Sequence, residues 1–425
     1  MEEKKEKALL VGLNITSTAR KIDNIDINES MEELKELAKA AGAEVVGSLI
    51  QNRQSRDAAF YVGKGKVEEI KAYSDSLGAT VVIFNDELSG AHIRNIEEVV
   101  GIKVIDRTTL ILDIFAQRAL SKEGKLQVEL AQLNYRLPRL YGMGGQMSRT
   151  GAGIGTRGPG EQKLEIDKRN ILNKAADIRR ELREVKKIRE TQRVQRLKSS
   201  IPIVALVGYT NAGKSTLLNA LTNAGVLAEN KLFATLDPTS RALKLPDGRT
   251  VLLVDTVGFI SRLPHDLVEA FKSTLEEVVY ADLILNICDA SDPAFEEHLI
   301  VTKRVVAELG ASDKPMLTVY NKCDKAPNLR FFGEKGNDVR ISALKQIGFD
   351  NLLDKICASL ENTRRKVKIL LPYSDGATAS VIRKEGAVVC EEYREDGIYI
   401  EAVLDGRFLN TIEKYILPEE DEKEI

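Results

Sequence analysis

The first hundred residues alternate short apolar runs with segments whose apolar positions recur every three or four residues. Short apolar runs predict buried strands, and the three-to-four spacing predicts amphipathic helices. The predicted strands are Ala8–Leu13, Glu44–Ile50, Thr80–Phe84 and Lys103–Ile105, and the predicted helices are Ser30–Ala41, Lys64–Leu77 and Gly90–Val100. This alternation predicts parallel β-α units and an N-terminal α/β domain at residues 1–107.

Residues 108–198 carry two helical patterns on either side of a glycine-rich stretch. Their apolar spacing predicts two helices that pair as an antiparallel coiled coil. The first series includes Leu126, Leu130, Leu133 and Leu137, and the second Leu164, Ile171, Ala175, Ile178, Leu182 and Val185. We therefore predict a helical hairpin arm at 108–198 with a tip at 142–160.

The remaining sequence predicts a larger α/β domain and a small appendage. Apolar strands precede polar motifs throughout residues 199–362, and residues 363–418 combine β-rich segments with a closing helix-like stretch, Gly406–Tyr415. The acidic residues 419–425 form a tail. The predicted fold class is multidomain α/β, with a small C-terminal α+β domain.

Composition limits the classes of function. The 425 residues have a formal charge of −2, which excludes a uniformly basic nucleic-acid binder, and the four cysteines have neither zinc spacing nor a disulfide framework. No apolar stretch predicts a signal peptide or a membrane span. We expect a soluble protein of the cytoplasm.

The most informative motif follows the apolar run Ile201–Val207. It reads Gly-Tyr-Thr-Asn-Ala-Gly-Lys-Ser-Thr at residues 208–216. Glycine-loop amides cradle phosphates, Lys214 can reach the β and γ oxygens, and Ser215 offers a hydroxyl to Mg²⁺. An ordinary strand, turn and helix start is the alternative interpretation.

Three later motifs favour the nucleotide interpretation. The run Val251–Gly258 ends a strand in Asp-Thr-Val-Gly, Asn321–Asp324 reads Asn-Lys-Cys-Asp, and Ser342–Leu344 reads Ser-Ala-Leu. A carboxylate at Asp324 can accept hydrogen bonds from N1 and N2 of guanine, which adenine cannot supply. Ligands of open α/β sheets bind outside the strand C-termini, where all these motifs fall.

Together these motifs resemble the five-motif translation-factor class of P-loop GTPases. The phosphate loop, residues 232–239 (Leu-Phe-Ala-Thr-Leu-Asp-Pro-Thr) and the Asp-Thr-Val-Gly-Phe-Ile run resemble the HflX family of ribosome-associated GTPases. Residues 60–70 and the glycine-rich stretch 141–161 are similar to the amino-terminal region of that family. The resemblance therefore covers nearly the whole chain.

The resemblance implies roles for individual residues. Lys214, Thr235, Gly258 and Asn211 are the expected catalytic residues, with Mg²⁺ held by Ser215, by Thr235 and, through water, by Asp255. Thr239 is a weaker alternative to Thr235 as the switch threonine. The expected nucleotide-binding residues are Gly208, Tyr209, Thr210, Asn211, Ala212, Gly213, Lys214, Ser215, Thr216, Phe233, Ala234, Thr235, Leu236, Asp237, Asp255, Thr256, Val257, Gly258, Asn321, Lys322, Asp324, Ser342, Ala343 and Leu344.

Two positions bear on the rate of hydrolysis. Phe259 follows Gly258, where many small GTPases carry the glutamine that orients the attacking water, so we expect slow intrinsic hydrolysis that a partner accelerates. Asn211 occupies the position at which related GTPases recruit K⁺ beside the phosphates. The alternative is that Asn211 only caps a turn, and the sequence leaves both open.

The arm is the predicted RNA contact. Residues 163–198 hold thirteen Lys or Arg against six Asp or Glu, a difference of +7, and the tip holds eight glycines with Arg149 and Arg157. Arg136, Arg139 and Tyr141 precede the tip. Arginines pair with phosphates and a tyrosine stacks on bases; a solvated helix and a passive linker are the alternatives.

The motifs predict a Mg²⁺-dependent GTPase. The resemblance implies that it binds the large ribosomal subunit in its GTP state and splits or rescues stalled ribosomes. A GTP-switched protein scaffold without RNA and a GTP-consuming metabolic enzyme are the competing classes. At Gly63–Lys66 a Gly-Lys-Gly-Lys run opens a predicted helix. It indicates either a plain helix start or an anion site. The resemblance adds ATP as a candidate second nucleotide in the N-terminal domain, without assigning residues to it.

Overall fold

The computed structural model describes residues 5–16, 26–140, 159–198, 201–222, 233, 239–261, 275–326, 338–360, 365–404, 408–409 and 412–417. The chain divides into two compact units. The first comprises residues 1–182, 229–237 and 257–274, and the second comprises residues 183–228, 238–256 and 275–425.

The first unit is built on a parallel four-stranded sheet, which confirms the predicted α/β class. Its strand order is β2-β1-β3-β4, and every pairing is parallel. Helices cover both faces of such sheets, so β3 is buried along its whole length. The strands are β1 (Lys7–Ile15), β2 (Glu44–Arg53), β3 (Val81–Phe84) and β4 (Lys103–Asp106), and the helices are α1 (Ile27–Ala40), α2 (Lys64–Leu77) and α3 (Gly90–Val100).

Three helices follow this sheet: α4 (Arg107–Arg118), α5 (Lys122–Leu140) and α6 (Pro159–Lys198). The predicted helical stretch at 108–140 is thus two helices. The hydroxyl of Ser121 accepts a hydrogen bond from the Gly124 amide at 2.9 Å. Ser121 is therefore the N-cap of α5, which begins as a separate helix after α4. The predicted apolar seam is present, because Leu126, Leu130 and Leu133 pack against Ile171, Ala175, Ile178 and Leu182.

The second unit contains a six-stranded sheet in the order β10-β9-β8-β5-β7-β6. All pairings are parallel except the antiparallel edge strand β6. Because β5 lies between β7 and β8, the crevice beyond its C-terminal end is the expected ligand position. The strands are β5 (Ile203–Gly208), β6 (Thr239–Lys244), β7 (Thr250–Asp255), β8 (Leu283–Asp289), β9 (Met316–Asn321) and β10 (Asp338–Arg340), and the helices are α7 (Lys214–Thr222), α8 (Phe295–Glu308) and α9 (Phe349–Ser359).

A small antiparallel sheet closes the chain, in the order β11-β13-β12. Its strands are β11 (Arg365–Leu371), β12 (Ala387–Arg394) and β13 (Gly397–Leu404), close to the predicted β-rich segments. Helix α10 (Gly376–Glu385) was not predicted; its Ala379 and Ile382 pack on the sheet. The described part of the predicted closing helix ends in a 3₁₀ turn, Glu413–Tyr415.

Among the described residues, no helix combines the length and the apolar character that crossing a bilayer requires.

Candidate active site

The loop between β5 and α7 requires its two glycines. Gly208 has a φ of 147°, and a Cβ there would lie 2.1 Å from the carbonyl oxygen of Ile287; Gly213 has a φ of 95°, and a Cβ would lie 2.2 Å from Nδ2 of Asn321. Only glycine fits both the backbone and the space. The loop therefore turns sharply and delivers the N-terminus of α7, where amides bind anions.

Lys214 is buried within this loop. Its Nζ donates to the carbonyl oxygens of Gly208 at 3.0 Å and Tyr209 at 2.9 Å. Burial lowers the pKa of Lys214 to about 8, and the negative charge of Asp255 partly offsets that effect. A buried ammonium is stabilised by an entering anion, so the position suits the β and γ phosphates.

Ser215 and Asp255 present oxygen atoms side by side. The Ser215 hydroxyl donates to Oδ2 of Asp255 at 2.6 Å, and the Asp255 carboxylate is fully buried at the end of β7. The neighbouring Thr256 hydroxyl donates to the carbonyl oxygen of Leu206 at 2.7 Å, which ties β7 to β5. A hydroxyl and a carboxylate are oxygen ligands of the kind Mg²⁺ selects, so the residues fit this ion.

The predicted base-binding motifs meet through Asn321. Its Nδ2 donates to the carbonyl oxygen of Ala212 at 2.8 Å, and its Oδ1 accepts from the Ala343 amide at 2.9 Å. One side chain thus joins the phosphate loop to the Ser-Ala-Leu motif. Leu344 is 79 % exposed beside them, although most leucines in the described part of the chain are buried.

The carboxylate of Asp324 is held in its ionised form. A hydrogen bond from Ser342 lowers the pKa of Asp324, and Lys345, whose Nζ lies 3.3 Å away, acts in the same direction. An ionised carboxylate only accepts hydrogen bonds, as pairing with guanine N1 and N2 requires.

Two partners of the base motif were not predicted from the sequence. Nζ of Lys322 lies 2.6 Å from Oδ2 of Asp289, the last residue of β8, and Lys345 contacts Asp324 as described above. A carboxylate at the C-terminal end of a buried strand was the available signal for Asp289, since the predicted Asp255 has the same placement.

Some predicted site residues belong to the first unit. The ring of Phe233 is buried edge-on against Phe115, with centroids 4.6 Å apart. Ser261, three residues after Gly258, hydrogen-bonds to Glu33 and Arg107, which form a partly buried ion pair. The predicted residues Ala234, Thr235, Leu236 and Asp237 lie outside the described residues.

The arm is anchored by polar contacts as well as by its seam. Arg139 of α5 pairs with Asp106 at 3.2 Å, so this arginine, noted above as a neighbour of the predicted RNA-contacting tip, has a structural partner. Arg179 of α6 donates to Oδ1 of Asn134 at 3.1 Å. Tyr141, Arg149 and Arg157 lie outside the described residues.

The run Gly63–Lys66 makes the contacts of an ordinary helix start. The Gly63 amide donates to Oε1 of Gln51 at 2.9 Å, and Lys66 pairs with Glu69 at 2.8 Å. A second nucleotide in this domain stays a prediction.

The sheet order, the phosphate loop and the guanine motif define a P-loop GTPase. Three family models match in succession: a GTP-binding GTPase N-terminal model over residues 28–116, a GTP-binding GTPase middle-region model over 118–196, and a 50S ribosome-binding GTPase model over 203–322. Because relatives named GTPase HflX also match it over most of its length, the chain belongs to the HflX family of GTPases.

Relatives match along nearly the whole length. GTPase HflX of Caldanaerobacter subterraneus subsp. tengcongensis is 51 % identical over 415 residues, which are 97 % of this chain and 94 % of the relative. GTPase HflX of Escherichia coli (strain K12) is 42 % identical over 374 residues, 87 % of this chain and 88 % of the relative. A crystal structure of a GTP-binding protein from Sulfolobus solfataricus with GDP aligns at 27 % identity, with a TM-score of 0.45, over 83 % of this chain and 98 % of that one.

Proposed function

We propose that this GTPase binds the large ribosomal subunit in its GTP-bound state, hydrolyses GTP there, and splits or rescues stalled ribosomes in the cytoplasm. The observation that carries the proposal is the match of residues 203–322 to a 50S ribosome-binding GTPase model, in a chain whose arm is strongly basic. The residues that touch nucleotide are the motif residues assembled around Lys214, Asn321 and Asp324.

The arm supports RNA binding through its exposed charges. The seam buries one side of α6, while Arg169, Arg180 and Arg183 lie exposed on it. Arginine side chains at such positions can pair with phosphates without disturbing the packing that fixes the hairpin. We assign the main RNA contact to the tip, with Arg149 and Arg157 as its anchors.

Cation roles form part of the same proposal. Mg²⁺ would bind Ser215 and Thr235 directly and Asp255 through water, where it would neutralise charge on the β and γ phosphates. K⁺ would bind beside Asn211, whose φ of 60° places it in a left-handed turn of the loop. That geometry is also what a turn cap requires, which is the alternative role of Asn211.

Sedimentation with purified ribosomes tests the proposal. We expect the protein to pellet with large subunits in a non-hydrolysable GTP analogue and to remain in the supernatant with GDP. Ribosomes should also raise the hydrolysis rate substantially, because no glutamine follows Gly258. Binding that ignores the nucleotide, or no binding at all, contradicts the proposal and favours a protein scaffold.

The role of the tip needs its own variant. Arg149→Ala with Arg157→Ala should weaken ribosome binding and flatten its dependence on KCl, since each lost single-strand phosphate contact lowers the logarithmic slope by roughly 0.7. The matched control is Lys71→Ala with Lys303→Ala, which removes the same charge from exposed helix positions elsewhere. If ribosome affinity depends on KCl in the same way for the tip variant and the control, the main RNA contact lies in another part of the chain.

A further inference from the structure

A histidine outside every sequence motif contacts the phosphate loop. The imidazole of His298 stacks face to face on the ring of Tyr209, with centroids 3.7 Å apart and planes 11° from parallel. Tyr209 is the second residue of the loop and is buried, whereas His298 lies in the first turn of α8. The contact therefore joins the loop to a helix 89 positions later in the sequence.

The peptide group of Tyr209 is central to the loop. Its carbonyl oxygen accepts from Nζ of Lys214 at 2.9 Å and from the amide of Ala212 at 3.3 Å. The same residue thus orients the phosphate-binding lysine and closes the turn. Because the ring and the carbonyl belong to one residue, a fixed ring limits how the carbonyl can rotate.

His298 is itself held by its surroundings. Its amide donates to the carbonyl oxygen of Ala294 at 3.1 Å, and its carbonyl oxygen accepts from the hydroxyl of Thr302 at 2.9 Å. Nδ1 lies 3.8 Å from Oδ2 of Asp292. The imidazole is therefore presented to Tyr209 from a regular helix that is anchored at both neighbouring turns.

We propose that His298 is a positioning residue for the GTPase reaction. By stacking on Tyr209 it holds the carbonyl that orients Lys214, and so places the lysine for the β and γ phosphates. His298 touches neither nucleotide nor the reacting atoms in this role. The inference rests on the GTPase activity of the chain and is independent of ribosome binding.

The expected consequence is selective for the triphosphate. Lys214 reaches both the β and the γ phosphate oxygens in this class of loop. A misplaced lysine therefore lowers the affinity for GTP more than the affinity for GDP. The interaction free energy of an aromatic pair corresponds to roughly a two- to tenfold change in an equilibrium constant. His298→Ala should therefore weaken binding of a non-hydrolysable GTP analogue by about three- to tenfold, and of GDP by less than about twofold.

His298→Phe separates stacking from other effects. Phenylalanine keeps a flat ring in the same rotamer range but lacks the ring nitrogens, so it should restore the affinity for the GTP analogue and kcat/KM for GTP to within about twofold of the parent. The matched control is Ile300→Ala on the same helix, whose side chain is 67 % exposed. It should behave as the parent does.

The measurements need no ribosome, so their failure is distinct from failure of the proposed function. Fluorescent nucleotide titration gives both affinities, single-turnover hydrolysis gives the rate, and thermal unfolding checks the fold. A Tyr209→Leu and His298→Ala double-mutant cycle should show that the double variant loses no more affinity than Tyr209→Leu alone.

Three results from the single variants would overturn the proposal. They are an unchanged affinity for the GTP analogue in His298→Ala, an equal loss for GDP and the analogue, and His298→Phe as impaired as His298→Ala. An equal loss would identify a general packing defect of the loop. Additive losses in the double-mutant cycle would likewise reject the pairing of the two rings.

Discussion

Replacing Tyr135 by phenylalanine tests how α5, the first helix of the arm, is fixed to the N-terminal sheet. Its phenol donates to Oδ2 of Asp106, a fully buried carboxylate at the end of β4. The same oxygen accepts from the Leu88 amide at 3.0 Å and from Arg139 at 3.2 Å. Tyr135 and Arg139 both lie on α5, so this carboxylate joins the arm to the sheet.

The expected loss of stability in Tyr135→Phe follows from the group that the substitution removes. The phenylalanine ring keeps its packing under the guanidinium of Arg139, which lies 3.4 Å from the ring centroid of Tyr135. Only the hydroxyl is lost, and a hydrogen bond to a charged group contributes about 1.5–3 kcal/mol. For a unit of about 150–250 residues this lowers Tm by roughly 3–12 °C.

The contribution of the Tyr135–Asp106 hydrogen bond to stability should not change in mildly alkaline solution. Burial, together with the negative charge of Asp106, raises the pKa of Tyr135 above its ordinary value of 10.0. The phenol therefore stays protonated and continues to donate as the pH rises, because a raised pKa delays loss of the proton. The difference in the free energy of unfolding between Tyr135→Phe and the parent should be constant between about pH 7 and 9.

Urea unfolding, with hydrogen exchange read out for residues of the first unit, is the assay. The matched control is Tyr73→Phe on α2, where the tyrosine is 46 % exposed, and it should change the free energy of unfolding by less than about 0.5 kcal/mol. Nucleotide affinity should be unchanged in both variants. If the two variants unfold at the same urea concentration, the buried carboxylate does not depend on Tyr135 and the reasoning is wrong.

Three further predictions concern the nucleotide site. Asp324→Asn should lower the affinity for GTP by roughly 10⁴ and favour xanthosine nucleotides, and competition titration that shows unchanged GTP binding would contradict the assigned base site. Lys214 with a pKa of about 8 loses its charge as the pH rises through that value. GDP affinity should therefore fall about tenfold between pH 7 and 9, a fall that Lys214→Met should lack in the same fluorescence titration. Replacing K⁺ by Na⁺ at constant ionic strength should slow hydrolysis, and Asn211→Ala should abolish the difference; equal rates in both salts would leave Asn211 as a turn cap.

Local sequence predicted the elements and most of the nucleotide motifs. Apolar periodicity depends on which face of a helix or strand is buried, so the strands and helices of the first sheet, and the motif-bearing strands β5, β7 and β9 of the second, could be predicted directly. Strands β6 and β8 were not predicted. The phosphate loop was equally readable, because Gly208 and Gly213 adopt backbone conformations that other residues avoid. Helix α10 was missed because its Gly376 start and short apolar face resemble the glycine turns around it.

Contacts between distant residues were decided only by the tertiary structure. Arg139 looked like one more arginine beside a basic tip, yet the fold places it on Asp106, 33 positions earlier. The position of Asp289 at a strand end had a sequence signal, but its pairing with Lys322 did not. The stacking of Tyr209 on His298 could not be predicted either, since neither pair belongs to a shared local pattern. Periodicity reports how each element is buried, whereas the pairing of side chains depends on strand order and helix packing, which short-range spacing does not encode.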